Sequence, residues 1–190
     1  MNLTEIIAKT KLEYIKTERL NEEIEVIEKY GQMFSPNNLD DLTKDDFKSF
    51  LLFRNNKHWK HIQRQNNMIT EDMDTLRNAL TILLDENKPL SERLDFQFPK
   101  NKPKYIKGLG RAVTTPILLV VYPKKYGVYN TKSEAGIKKV GLEPKFSRGA
   151  SFSEKYIKFN KVLNELKAEH DISLFALDEV WWKITEARPQ

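Results

Sequence analysis

Tyr105-Ile106-Lys107-Gly108-Leu109-Gly110-Arg111-Ala112-Val113 is the stretch on which the reading of this chain turns. Two glycines around one apolar residue make a tight hairpin, because glycine accepts positive φ and permits close approach to the backbone. A helix opening at Arg111 leaves its first amides without partners. Together with the helix dipole, those amides form a place for an anion. Lys104, Lys107 and Arg111 add positive charge around it. An ordinary turn ahead of a helix accounts for the same pattern.

Around the hairpin the charge is one-sided. Residues 1–95 hold 14 Lys and Arg against 18 Asp and Glu, whereas residues 96–190 hold 18 against 9. Between Lys100 and Arg148 the count is 12 against 2. Such a window is read either as a solvated face or as a field that attracts polyanions. It places an N-terminal helical region at 1–95 and a basic C-terminal helical region at 96–190, unless the two form one continuous domain.

Hydrophobic residues make up 39% of the 190 and aromatics 11%, enough for a packed interior. With no cysteine, disulfides, thiolate zinc sites and cysteine nucleophiles are excluded, and a reducing compartment is expected. The polar N-terminus and the short apolar run Ile117–Tyr122 imply a soluble, cytoplasmic protein with no membrane partner.

Most of the chain reads as mainly α. Ile6, Ile7, Leu20, Ile24 and Ile27 lie among Glu and Lys and predict one or two amphipathic helices between Thr4 and Tyr30, with Gly31 as a stop. Thr43 caps a short helix carrying Phe47, Phe50 and Leu51, and Thr70-Glu71-Asp72 opens another with Leu76, Leu80, Leu83 and Leu84 on one face. Three prolines mark Lys88–Lys104 as a linker or long loop. Short helices follow at 111–122 and 133–140, then a longer one through Tyr156, Phe159, Leu163 and Leu166. Asp171 or Ser173 caps the last, whose stripe includes Trp181 as a core residue. β-branched residues cluster only at Val113–Val121, so the expected fold is a helical bundle.

The hairpin Gly108-Leu109-Gly110, the helix from Arg111, the loop Pro123-Lys124-Lys125-Tyr126-Gly127 and Val128-Tyr129-Asn130 before the next helix resemble the helix-hairpin-helix element of base-excision DNA glycosylases. The resemblance covers roughly 40 of the 190 residues. It implies a clamp on the sugar-phosphate backbone of DNA. The family's lysine nucleophile falls on Ala112 and its assisting aspartate on Asn130, so the resemblance implies the clamp without the chemistry. Glu134, one turn beyond Asn130, is the nearest displaced carboxylate, and Pro116 is expected to bend the hairpin's helix.

A wider pattern is similar to recognition regions of modification-dependent restriction systems. It comprises Asn55-Asn56-Lys57-His58-Trp59, Asp85 to Arg93, the hairpin, and Tyr126 to Ser133. It implies DNA recognition coupled to a partner nuclease or ATPase, since this chain shows neither a Walker phosphate loop nor a nuclease carboxylate-lysine motif.

The expected function is therefore non-catalytic duplex-DNA binding through Lys107, Gly108, Leu109, Gly110, Arg111, Lys124, Lys125, Asn130, Lys132 and Arg148, with no cofactor and no metal. Alternatives are a glycosylase-like enzyme with an altered site and a protein-interaction module using the acidic N-terminal half. His58 and His61 are three apart, which one metal reaches on a helix, but packing or surface histidines are the expectation. Trp59–Arg64 is read either as a second DNA contact or as a half-buried tryptophan with solvated neighbours.

Overall fold

Capping chemistry sets where the first helices begin. In the computed structural model, which describes residues 2–60, 62–97 and 106–186 (the side chains of Gln65, Phe96 and Gln97 excepted), Asn2 and Glu5 form a capping box that opens α1 (Leu3–Lys16). After a two-residue turn, α2 (Arg19–Met33) follows, and then a 3₁₀ turn at Pro36–Asn38. Thr43 and Asp46 cap each other at the start of α3 (Lys44–Leu51). A single helical turn, α4 (Phe53–Asn56), ends on Lys57 in the left-handed region at φ 59°. Asn56 holds that bend: its buried carboxamide accepts from the backbone amides of His58 and Trp59 and donates to the carbonyls of Phe50 and Trp59.

A 3₁₀ turn (Ile62–Gln65) and α5 (Asn66–Ile69) lead to α6 (Met73–Leu84), capped by Asp72. The proline-bearing stretch after it contains α7 (Leu90–Gln97), so Lys88–Lys104 is not a linker throughout; residues 98–105 lie outside the described residues. The C-terminal half is built from α8 (Arg111–Val121), α9 (Thr131–Lys139), α10 (Phe152–His170) and α11 (Leu174–Glu186). Ser173 accepts from the Ala176 amide and caps α11, while Asp171, at φ 48°, closes α10 instead. Among the described residues all regular secondary structure is helical, with no strand. None of those helices is long and apolar enough to cross a membrane.

Helix α8 runs through the centre. Eight consecutive residues, Val113 to Val120, are buried, so the helix faces protein on every side and not along one stripe. It continues through Pro116. Thr115 uses its hydroxyl twice, donating to the Arg111 carbonyl at 2.8 Å and accepting from the Tyr129 amide at 3.0 Å. That second bond fastens the segment entering α9 against α8. α2 packs on α8, α1 and α9 on α11, and α7 on α6 and α10, so residues from both sides of Asp95 share one core.

Gly31 is not a stop. It sits inside α2, where a Cβ would lie 2.7 Å from the carbonyl oxygen of Val120. Absence of a side chain lets the two backbones touch. Next to this crossing, Tyr30, Phe34, Phe47 and Phe50 pack edge to face, with Tyr30–Phe50 centroids 5.0 Å apart. Trp59 is buried in the same cluster, not half-buried, and its indole N–H donates to Asp178 at 3.2 Å.

Gly31→Ala gains up to about 1 kcal/mol in helix propensity, but the new methyl meets backbone that cannot rotate away. A net loss of about 1–3 kcal/mol in urea denaturation is expected from overpacking. A more stable variant would contradict the close crossing.

Candidate nucleic-acid interface

The hairpin forms as a turn closed by the Leu109 amide on the Ile106 carbonyl at 3.0 Å. Gly108, at φ 92°, occupies the third position of that turn, where a side chain is disfavoured. Leu109 is buried and anchors the hairpin in the core. Gly110 is different. At φ −83° and ψ 179° it adopts backbone open to any residue, and a Cβ there would meet nothing within 4 Å. Its glycine identity is thus not required by the fold, and the space above it is open.

Gly110 also caps α8 with its carbonyl, which accepts from Val113 at 2.9 Å and Thr114 at 3.0 Å. The amides of Arg111 and Ala112 make no hydrogen bond among the described residues. With no side-chain cap on this N-terminus, those two donors and the positive end of the helix dipole remain available to an anion.

Arg111 is less available. Its guanidinium donates to Glu134 at 2.7 Å and lies 4.6 Å over the Tyr129 ring. Tyr129 donates its hydroxyl to the other oxygen of Glu134 at 3.0 Å, and its ring stacks on Phe159 at 4.2 Å between centroids. Burial pushes the Glu134 carboxyl up, but bonds from Arg111 and Tyr129 and the charges of Arg111 and Lys155 outweigh it and hold it below its ordinary range. Burial, then the bond to Glu134, pushes the Tyr129 hydroxyl up to about 12. A carboxylate held ionised in this way is the opposite of what a proton donor needs.

Asn130 is spent on α9. Its side-chain oxygen accepts from the amides of Lys132 and Ser133, and Ser133 returns a bond, completing a capping box. Lys132 turns away to lie 4.6 Å over the Trp182 ring, with Glu186 at 3.7 Å. Lys124 and Lys125 follow the far end of α8, about 16 Å along the axis from Arg111, and Lys125 is ion-paired to Glu86. Lys107 and Arg148 are exposed and have no ion-pair partner among the described residues.

The loop of Arg148 leans on α10: Lys158 donates to the Lys145 carbonyl, and Lys155 lies 5.9 Å over the Phe146 ring. The structure therefore unites Lys107 to Arg111 with Glu134, Tyr129 and Lys155 as one cluster. It sends Lys124, Lys125 and Lys132 elsewhere. Lys155 and Tyr129 carry no local signal of this role in the sequence, because only the packing of α8, α9 and α10 brings them together.

His58 is buried against Asp178, 3.1 Å away, and His61 lies outside the described residues. Among the described residues no three His, Asp or Glu side chains converge as metal ligands. No protein-family model matches the chain, and neither a curated protein nor a solved structure matches it.

Two measurements check this geometry. Gly108→Ala should cost about 1 kcal/mol from the positive φ, whereas Gly110→Ala should leave stability within about 0.5 kcal/mol in thermal denaturation. Carboxyl NMR should place the Glu134 titration below 4.5, with Arg111→Met raising it. Because the folded value is depressed, the stabilisation is present above the unfolded value and is lost as pH falls through the folded one. A Glu134 titrating at or above 4.5 would break the assignment.

Proposed function

We propose that the chain is a cytoplasmic, non-catalytic duplex-DNA-binding protein that grips backbone phosphate at the Gly108-Leu109-Gly110 hairpin. The observation that carries this is the pair of amides at Arg111 and Ala112, without a hydrogen bond among the described residues, beside open space at Gly110. Phosphate is the anion that a helix N-terminus of this kind takes from DNA without reading sequence. Lys107, exposed and without an ion-pair partner among the described residues, supplies positive charge to the approach. Arg111 contributes by exchanging part of its bond with Glu134 for phosphate. Ala112 and Asn130 stand where the resembled glycosylases carry nucleophile and aspartate, which supports binding without base excision. A role as the recognition component of a restriction or repair system, beside a nuclease or ATPase, follows from the wider pattern similar to modification-dependent restriction systems.

One observation favours a second reading, in which the acidic half docks a protein. Leu12, Ile15, Leu20 and Ile24 on α1 and α2 are exposed, and they are four of the large apolar residues found on the surface.

Fluorescence anisotropy of a labelled duplex across a salt series tests the first reading. Each phosphate held should contribute about −0.9 to the slope of log K against log salt. A Cβ at Gly110 meets nothing within 4 Å, and the branched side chain of Gly110→Val is expected to cover the amides, so binding should collapse. Glu134→Gln frees Arg111 and should tighten binding several-fold. Wild-type affinity in Gly110→Val would refute the clamp, and release of a base from damaged duplex would refute the non-catalytic assignment. No binding at low salt would leave the protein-docking reading.

A further inference from the structure

Between α2, α4 and α11 lies a cleft of about 220 Å³ that shares no residue with the hairpin. Its walls combine two kinds of chemistry. Phe53 and Trp182 present aromatic rings, and Trp182 is the half-buried one of three tryptophans, Trp59 and Trp181 being fully buried. Arg19, Lys57, Lys60 and Lys183 present positive charge. Arg19 and Lys183 are already ion-paired to Glu179, at 3.5 and 3.7 Å. Lys57 and Lys60 have no carboxylate partner among the described residues, and Lys60 lies 5.2 Å over the Phe53 ring.

The backbone there is also under constraint. Lys57 has φ 59°, a conformation unfavourable for a residue with a side chain. The Asn56 carboxamide enforces it by holding the amides of His58 and Trp59. His58 is itself locked on Asp178, with its ring 4.3 Å from that of Phe175. The wall that carries Lys57 is therefore rigid, as a site requires and a random surface dent does not.

These features select a ligand. Unpaired ammonium groups exclude a cation and favour an anion; aromatic rings beside them favour a flat ring over inorganic phosphate alone. Glu179 and Glu186 in the wall accept N–H or O–H donors. The volume is below that of a typical enclosed ligand pocket, so the cleft takes one small molecule only partly enclosed, and it excludes a duplex. We infer that this cleft binds a free nucleoside monophosphate, its base against Trp182 and Phe53 and its phosphate at Lys57 and Lys60. This site is independent of the hairpin, so either can fail without the other.

Trp182 reports on its own site. Adenosine 5′-monophosphate should quench tryptophan fluorescence saturably, and Trp182→Phe should abolish the quench while Trp59 and Trp181 keep emitting. Calorimetry should give the same affinity. Adenosine and ribose 5-phosphate, each lacking one half of the ligand, should each bind at least about tenfold more weakly.

Lys57→Gly removes the ammonium and relieves the backbone, so it keeps the fold; with Lys60→Ala it should weaken binding by about tenfold or more and leave duplex affinity at the hairpin unchanged. An unaltered affinity in the double variant, or a quench that survives Trp182→Phe, would overturn the assignment. So would a short single-stranded oligonucleotide that binds through the same lysines about a hundredfold more tightly than the monophosphate, since the occupant would then be a strand.

Discussion

Everything in this fold depends on α8 being buried on all sides. A helix with eight consecutive buried residues must find apolar partners around its whole circumference. α2 meets it through Gly31, and the aromatic cluster of α2 and α3 fills the space beside that crossing. The polar groups it carries inward are satisfied locally, Thr115 by the Arg111 carbonyl and the Tyr129 amide. Burying a single Val, Leu or Ile side chain is worth about 1.5–3 kcal/mol, so this helix is a major source of cohesion in the C-terminal half.

The same burial dictates where the helix can meet anything else. Its sides are occupied, its C-terminal end runs into the segment bonded to α10, and its N-terminus reaches solvent at Gly110 and Ala112. The hairpin is how the chain ends that helix at the surface: Leu109 goes into the core, Gly108 makes the bend, and Gly110 leaves the amides uncovered. The electrostatics there are more balanced than a count of lysines implies. Glu134 neutralises Arg111, and Tyr129 holds Glu134 in place. The field outside the hairpin therefore comes from Lys107 and the helix dipole more than from the arginine next to it.

The excess of basic residues between Lys100 and Arg148 is distributed by the fold over separate surfaces. Lys125 balances Glu86 and, with Tyr126, completes a network around the buried Arg93. Lys139 donates to the Ile184 carbonyl at the end of α11, a cation placed where a helix C-terminus favours one. Lys132 lies over one face of the Trp182 ring. A linear charge count cannot distinguish these structural cations from those facing solvent, because an ion pair between residues 39 positions apart, such as Lys125 and Glu86, leaves no local trace.

What the sequence by itself determined is what local chemistry controls. Capping residues placed the starts of α3 and α6, and the period of apolar residues placed α10 and α11 as helices with Trp181 inside. The turn at Gly108 was legible because a glycine just ahead of a helix start accepts the positive φ that such a turn needs. Tertiary structure alone decided the rest. Gly31 reads as a helix stop, yet α2 continues through it because the neighbouring backbone requires the missing side chain. The prolines after α6 read as a linker, yet α7 forms there because Leu94 and Arg93 are buried against α6 and α10. Arg111 reads as a phosphate ligand, yet α9 brings Glu134 to it. In each case the deciding partner is distant in sequence and becomes a neighbour only when the helices pack, and no periodicity or propensity encodes that contact.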